Sequence, residues 1–373
     1  MSDGPQLLEA LRTRTPAMVD ALRALVETES PTADPDACRA CVGVADELAA
    51  ELLGSRGETL EVDGRVHLRW RFGGATRVLL VGHLDTVWPL GTLARWPFEV
   101  RDGRASGPGV FDMKAGVVQL LFALAALEQL DGVSVVLTTD EETGSASSRA
   151  LIEETAAGAE AALVLEPSAH GALKTERKGV ALYRVQAHGR AAHAGLDPEL
   201  GANAAVELAH QLLAIAELAE PELGTTVTPT LVSAGTAANT VPAEASAQID
   251  VRVRTLAEAE RVAAAFAALH PVLDGTSLQV EHGVAIPPLE HHASAALFER
   301  AQGLAAALGL APLTEAAVGG GSDGNALAAR GLPVLDGLGA VGDHAHAEGE
   351  YALVAALPDR AALVAALVAD LVG

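Results

Sequence analysis

Three short apolar runs, each followed at once by histidine or acidic residues, constrain this chain most. They are residues 77–82 ("RVLLVG"), 133–139 ("VSVVLTT") and 161–165 ("AALVL"). Runs of this length bounded by turn residues read as fully buried strands. Helical patterns at 16–29, 36–53 and 114–129 alternate with them. That alternation predicts an α/β sheet with helices on both faces. In such sheets ligands collect at the carboxyl ends of the strands. His83, Asp85, Asp140, Glu141, Glu142 and Glu166 all follow predicted strands directly.

Near residue 174 the pattern changes. "KGVALYRVQAHG", "TTVTPTLVSAG", "EASAQIDVRVRT" and "SLQVEHGV" read as strands, and two helical stretches separate them in the order β-α-β-β-α-β. That order is ferredoxin-like. After "IPPLE" the α/β pattern resumes, with a helix at 294–308, the loop "VGGGSDGN", a helix at 325–330, a strand at 333–336 and a helix at 357–371. The expected organisation is one α/β domain, residues 1–173 and 285–373, interrupted by a second domain at 174–284.

Composition narrows the function classes. Half of the 373 residues are hydrophobic, which suits a globular chain, and the net charge of −24 disfavours nucleic acid and anionic membranes as partners. No apolar stretch reaches the roughly 18 residues of a membrane span, and "MSDGPQLLEALRTRT" lacks a signal-type apolar core. The expectation is a cytoplasmic protein. Cys38 and Cys41 form C-x-x-C within an amphipathic helix, which places both sulfurs on one face; without a second pair they read as small buried hydrophobes.

Five clusters carry candidate chemistry: "GHLDT" (His83, Asp85), "GPGVFDMKAG" (Asp112), "TTDEETGS" (Asp140, Glu141, Glu142), "VLEPS" (Glu166) and "GDHAHAEGEY" (His344, His346). Alone, each reads as an ordinary strand end or solvated loop. Four of them end strands of the one predicted sheet and so would converge on one rim, where several carboxylates repel one another and raise their own pKa values. One or two divalent ions remove that repulsion, and mixed His and carboxylate donors suit zinc, with cobalt or manganese as alternatives. Gly320–Gly324 also satisfies G-x-S-x-G. A serine hydrolase built on Ser322 is therefore a rival reading, although an acid and a histidine follow too closely for that fold.

These motifs, with "GRAAHAGLDPELGANA", "NTVP" and "GGGSDGNALAARGLPV", resemble the di-zinc carboxypeptidase and amidohydrolase family. Its members include glutamate carboxypeptidase, acetylornithine deacetylase, succinyl-diaminopimelate desuccinylase and aminoacylase. The resemblance covers nearly the whole chain and leans toward the glutamate carboxypeptidase branch. It implies a catalytic domain with a mixed sheet flanked by helices and an inserted ferredoxin-like βαββαβ lid that also dimerises. It implies two zinc ions per chain: His83 and Glu166 on one, Glu142 and His346 on the other, Asp112 bridging. Glu141 would be the general base and Asp85 the support of His83. His193 would reach the partner subunit's site as an oxyanion donor. Asn239, Gly321, Ser322 and Arg252 would contact substrate.

The activity so implied is hydrolysis of an amide bond in a peptide or N-acyl amino acid. The segment leaving the lid, "VEHGVAIPPLE", lacks the arginine that glutamate carboxypeptidases of this type use for the substrate carboxylate. Arg177, Lys178, Arg190 and Arg252 are the substitutes. A metal-free binding or scaffolding dimer is the second rival, and the complete ligand set argues against it.

Overall fold

A computed structural model describes residues 4–373. The chain forms two compact units, one comprising the chain as far as Glu176 together with Glu290–Val318 and Ser322–Gly373, the other Arg177–Leu289 with Gly319–Gly321. The expected boundaries, 174 and 284, differ for a local reason. The strand Leu173–Arg177 pairs with Glu315–Val318, and the last strand of the smaller unit runs on to Ile286.

The larger unit holds a six-stranded sheet in the order Glu58–Val62, Arg65–Phe72, Val133–Thr138, Val78–His83, Ala161–Val164, Val334–Leu335. Val78–His83 runs parallel to both its neighbours, and Arg65–Phe72 is antiparallel to Val133–Thr138, so the sheet is mixed. Every residue of Val78–His83 and Val133–Thr138 is buried, as the continuous apolar runs require. Leu80 is fully buried in this core; truncation to alanine there costs about 2–5 kcal/mol.

Register fixes the rim. His83 pairs with Thr138, and Val81 pairs with Val164. His83, the segment after Thr138 and Glu166 therefore leave the sheet at one edge. The helix Ala115–Leu124 is buried along its whole length. Its start presses on that edge at Gly116, where a Cβ would lie 2.1 Å from the Leu165 carbonyl oxygen. Only glycine permits this approach, which brings the loop carrying Asp112 beside Glu166.

The smaller unit has the order β-α-β-β-α-β, from Gly179–His188 through Ala204–Ala216, Thr226–Ala234, Glu244–Val253 and Leu256–Ala267 to Ser277–Ile286. Its antiparallel sheet places Thr226–Ala234 at one edge and Ser277–Ile286 at the other. Ala245, Ala247, Ile249, Val251 and Val253 alternate into a core that also contains Tyr183 and Phe266.

Several elements differ from the sequence reading. The helix predicted to reach 129 ends at Leu124. Strands Glu58–Val62 and Arg65–Phe72 were not expected, nor was the small sheet formed by Glu99–Arg101, Arg104–Ser106, Gly342–Asp343 and Tyr351–Leu353. No helix among the described residues is long and apolar enough to cross a membrane.

Candidate metal centre

His83 ends its strand inside the protein, with 1% of its surface exposed. Its Nδ1 lies 3.0 Å from the Asp85 carbonyl oxygen, which can only accept, so Nδ1 carries the proton. In the neutral ring the Nε2 lone pair then faces Asp112 Oδ1 at 3.2 Å and Glu166 Oε1 at 3.5 Å. The other Asp112 oxygen, Oδ2, lies 3.3 Å from His346 Nε2, which also stands 3.1 Å from Glu142 Oε2. Asp112 therefore divides its carboxylate between two donor groups. Ligand atoms of His83, Asp112 and Glu142 lie within 4.8 Å of one another, as do those of His83, Glu141 and Glu166.

These separations fit metal ions. Donors about 2.0–2.1 Å from a tetrahedral zinc stand about 3.3 Å apart. Glu142 Oε1 is buried without a hydrogen-bond partner, an orphan that a cation would satisfy. His346 is about half exposed, and the other side chains of the cluster are largely buried. The arrangement suits ions bound deep and reached from one side.

The electrostatics agree. Burial pushes the His83 imidazole down, but bonds to Asp112, Asp85 and Glu166 outweigh it and hold its pKa well above the usual range. His346 is pushed up to about 10 by its bonds to Asp112 and Glu142. Burial opposes ionisation of Asp112, yet the two histidines hold its carboxyl far below the usual carboxylate range. Burial, then the charges of Glu166, Asp323 and Glu142, raise Glu141 well above its ordinary value against the opposing pull of His83. Such surroundings favour the neutral carboxyl over the carboxylate.

Asp85 does more than support His83. Its carboxylate is 3.5 Å from the ring, farther than its own carbonyl. The carboxylate instead accepts the backbone N–H groups of Glu141 and Glu142 at 3.3 and 3.2 Å and the Thr32 hydroxyl at 2.8 Å. Asp140 binds no donor nitrogen of the centre; its Oδ2 accepts both the N–H and the hydroxyl of Ser147 at 2.7 Å. His67 continues this chain, with Nδ1 accepting from the Thr139 N–H and Nε2 lying 3.0 Å from the Ser147 hydroxyl.

Three residues near the centre were given no role in the sequence reading. Lys174 Nζ lies 3.9 Å from Glu166 Oε2. Asp323 accepts from the Ser145 hydroxyl, and burial pushes its carboxyl up to about 7. Glu350 is fully buried and accepts four N–H groups. Each is a single charged residue, and only the fold brings its partners to it.

The remaining site candidates make contacts of their own. His346 makes the contacts described, whereas the His344 ring lies 6.2 Å from Tyr351. The Ser322 hydroxyl donates to Asp336 at 2.6 Å and accepts from the Gly324 N–H as a helix cap. Among the described residues its hydrogen-bond partners are Asp336, Asn325 and Gly324 and include no histidine, so the serine-nucleophile reading lacks its base there. In the smaller unit, His193 Nδ1 accepts from the N–H groups of Gly195 and Leu196, both at 3.1 Å, which leaves the proton on Nε2. Asn239 stands beside it: its carbonyl accepts from the Ala194 N–H at 2.9 Å.

The expected substrate cations all have partners. Arg252 is held by Asp250, Arg177 donates to the carbonyls of Gly320 and Gly321, Lys178 to Gly224 and Arg190 to Leu200. Cys38 and Cys41 are buried free thiols, and burial pushes Cys38 up to about 12.

The model of peptidase family M20/M25/M40 matches residues 79–370. The chain belongs to this family. It is a peptidase or amidohydrolase with carboxypeptidase-like relatives. Carboxypeptidase G2 of Pseudomonas sp. (strain RS-16) is 32% identical over 98% of this chain and 92% of its own length. Among solved structures, aminopeptidase PepT from Bacillus cereus aligns with a TM-score of 0.74 at 22% identity, covering 96% of this chain and 99% of its own. A Bacillus subtilis protein described as a dinuclear metal-binding peptidase from M20 aligns with a TM-score of 0.65 at 17% identity over 97% of this chain and 99% of its own. These similarities agree with the mixed α/β fold of the larger unit.

Proposed function

We propose that this M20 chain is a two-metal hydrolase that cleaves the amide bond of a peptide or N-acyl amino acid, as an exo-carboxypeptidase or a deacylase. One observation carries the reading: the two oxygens of Asp112 face His83 and His346 separately. His83 and Glu166 would hold one ion, Glu142 and His346 the other, and Asp112 both. Zinc best suits the donors, with cobalt or manganese as alternatives. When bound, the ions supply Lewis-acid polarisation and a nucleophilic water near neutral pH.

The protein's own groups divide the remaining work. Glu141 takes a proton on its carboxylate and returns it to the leaving amine; its raised pKa suits that exchange. Asp85 fixes the His83 ring and the backbone of Glu141 and Glu142. His193 offers Nε2–H to the developing oxyanion of the partner's substrate, and Asn239 stands beside it. The Gly321 main chain contributes to substrate binding; Ser322 supports that loop through its cap, and Arg252 acts through its grip on Asp250. The edge strand Thr226–Ala234 leaves Leu231 and Val232 exposed, and an open edge with apolar side chains suits pairing with a second copy. A soluble cytoplasmic homodimer fits these features.

The experiment is an activity screen of metal-loaded protein over dipeptides and N-acyl amino acids, each with a free or an amidated carboxyl terminus. The reading requires cleavage of at least one free-carboxylate compound, its loss on amidation, and its loss on chelation. Activity that survives exhaustive chelation contradicts it.

A further inference from the structure

Glu350 is a buried carboxylate with an unusual set of partners. Oε1 accepts the backbone N–H groups of Phe111 at 2.8 Å and Asp112 at 2.9 Å. Oε2 accepts the Trp88 indole N–H at 2.9 Å and the Gly109 N–H at 3.1 Å. All of these bonds come from N–H donors, and three of them belong to the segment 109–112, which ends on Asp112 itself. Glu350 stands in the segment that carries His346, four residues earlier.

That segment is tightly folded. The Glu350 N–H donates to the Ala347 carbonyl at 3.1 Å, and the Ala347 N–H donates to His344 at 3.0 Å. His346 has a φ of 62°, in the left-handed region that favours glycine. A non-glycine residue stays there only when its surroundings hold it. Glu350 and the strand Tyr351–Leu353, paired with Arg104–Ser106, are what follow it. Asp112 also relies on the same anchor, because its loop has irregular backbone rather than a strand beneath it.

We infer that Glu350 is a positioning residue that fixes Asp112 relative to His346, and so tunes the ion held by Asp112, Glu142 and His346 more than the ion held by His83, Glu166 and the same Asp112. The inference rests on the two-metal reading. His83 and Glu166 sit at or just beyond the ends of buried strands and need no such anchor. Two of the three groups around the ion of Glu142 and His346 depend on Glu350, against one, the shared Asp112, around the other. The Glu350→Gln change keeps the shape but turns an amide NH2 toward N–H donors, so at least one contact becomes donor against donor.

The test is a competitive zinc titration of chelated wild type and Glu350→Gln against a chromophoric chelator, with tryptophan emission followed in parallel. Wild type should bind two ions. In Glu350→Gln one ion should bind within about threefold of wild type, and the other about 10–100-fold more weakly. Tryptophan emission, to which Trp88 contributes, should shift without a matching shift in Glu142→Gln. A general structural role would weaken both ions alike or neither, and either result overturns the inference. Glu350→Asp, which keeps the charge, should weaken the same ion to a smaller extent; it carries the test if the glutamine variant does not fold. Failure of wild type to bind two ions would instead overturn the two-metal reading, so the two failures are distinct.

Discussion

The backbone N–H of Glu142 donates to Oδ2 of Asp85 at 3.2 Å. This bond ties the strand end that presents His83 to the loop that presents Glu142. Asp85 thus joins groups proposed for both ions without facing either directly. Burial works against its charge, but His83, Thr32 and the Glu142 N–H hold its carboxyl below the ordinary value.

Asp85→Asn should expose the dependence. The amide puts an NH2 where an acceptor is needed. Metal affinity is expected to fall about 10–100-fold, with kcat falling in step. Equilibrium dialysis against zinc, with kcat measured at saturating metal, checks it. Unchanged affinity and kcat would show that the bond to Glu142 is dispensable.

Glu141 and Glu142 are neighbours with different tasks. Glu141→Gln cannot accept a proton, so kcat should fall at least about 10²-fold with metal content retained. Glu142→Gln should lose metal. Paired metal analysis and kinetics distinguish them, and the reverse pattern would exchange their roles.

His346 predicts a pH effect in the chelated protein. Its folded pKa, about 10, lies above the ordinary 6.5. The stability it contributes is complete below about 6.5 and is lost as pH rises toward 10. The Tm of chelated wild type should therefore fall over that window more steeply than that of His346→Gln. Zinc displaces these protons, so apparent affinity should rise with pH across the same window. Parallel pH profiles for the two proteins would remove the effect.

The trans role of His193 is tested by co-expressing His193→Ala with Glu141→Ala, each nearly inactive alone. Random pairing makes about half the dimers mixed, and each mixed dimer regains one intact site of two. Roughly a quarter of wild-type activity should return. Activity near zero, with mixed dimers confirmed by tagging, would mean that His193 acts within its own chain or not at all.

What the sequence made legible follows from burial. Val78–Val81 is a continuous apolar run, and Val133–Leu137 is one but for Ser134, because both faces of their strands are covered. Arg65–Phe72 is nearly as buried but hides His67 and Arg69 among its apolar residues. Those polar side chains are satisfied by Ser147, Thr139, Glu58 and Glu154, partners that no local pattern announces. The same reason hid Glu350 and Asp323, whose roles arise from donors distant in sequence. His83, Asp112, Glu142, Glu166 and His346 were readable because each sits in a recognisable motif. The cations that sequence position favoured hold carbonyls or Asp250, partners that no motif announces.

The most direct measurement adds zinc in fractional equivalents to fully chelated protein and follows hydrolysis of a substrate identified by the screen. With Asp112 serving two ions, activity should rise to a plateau at about two equivalents per chain, and Asp112→Asn should show no such rise. A plateau at one equivalent, or full activity before any zinc is added, would contradict the two-metal centre.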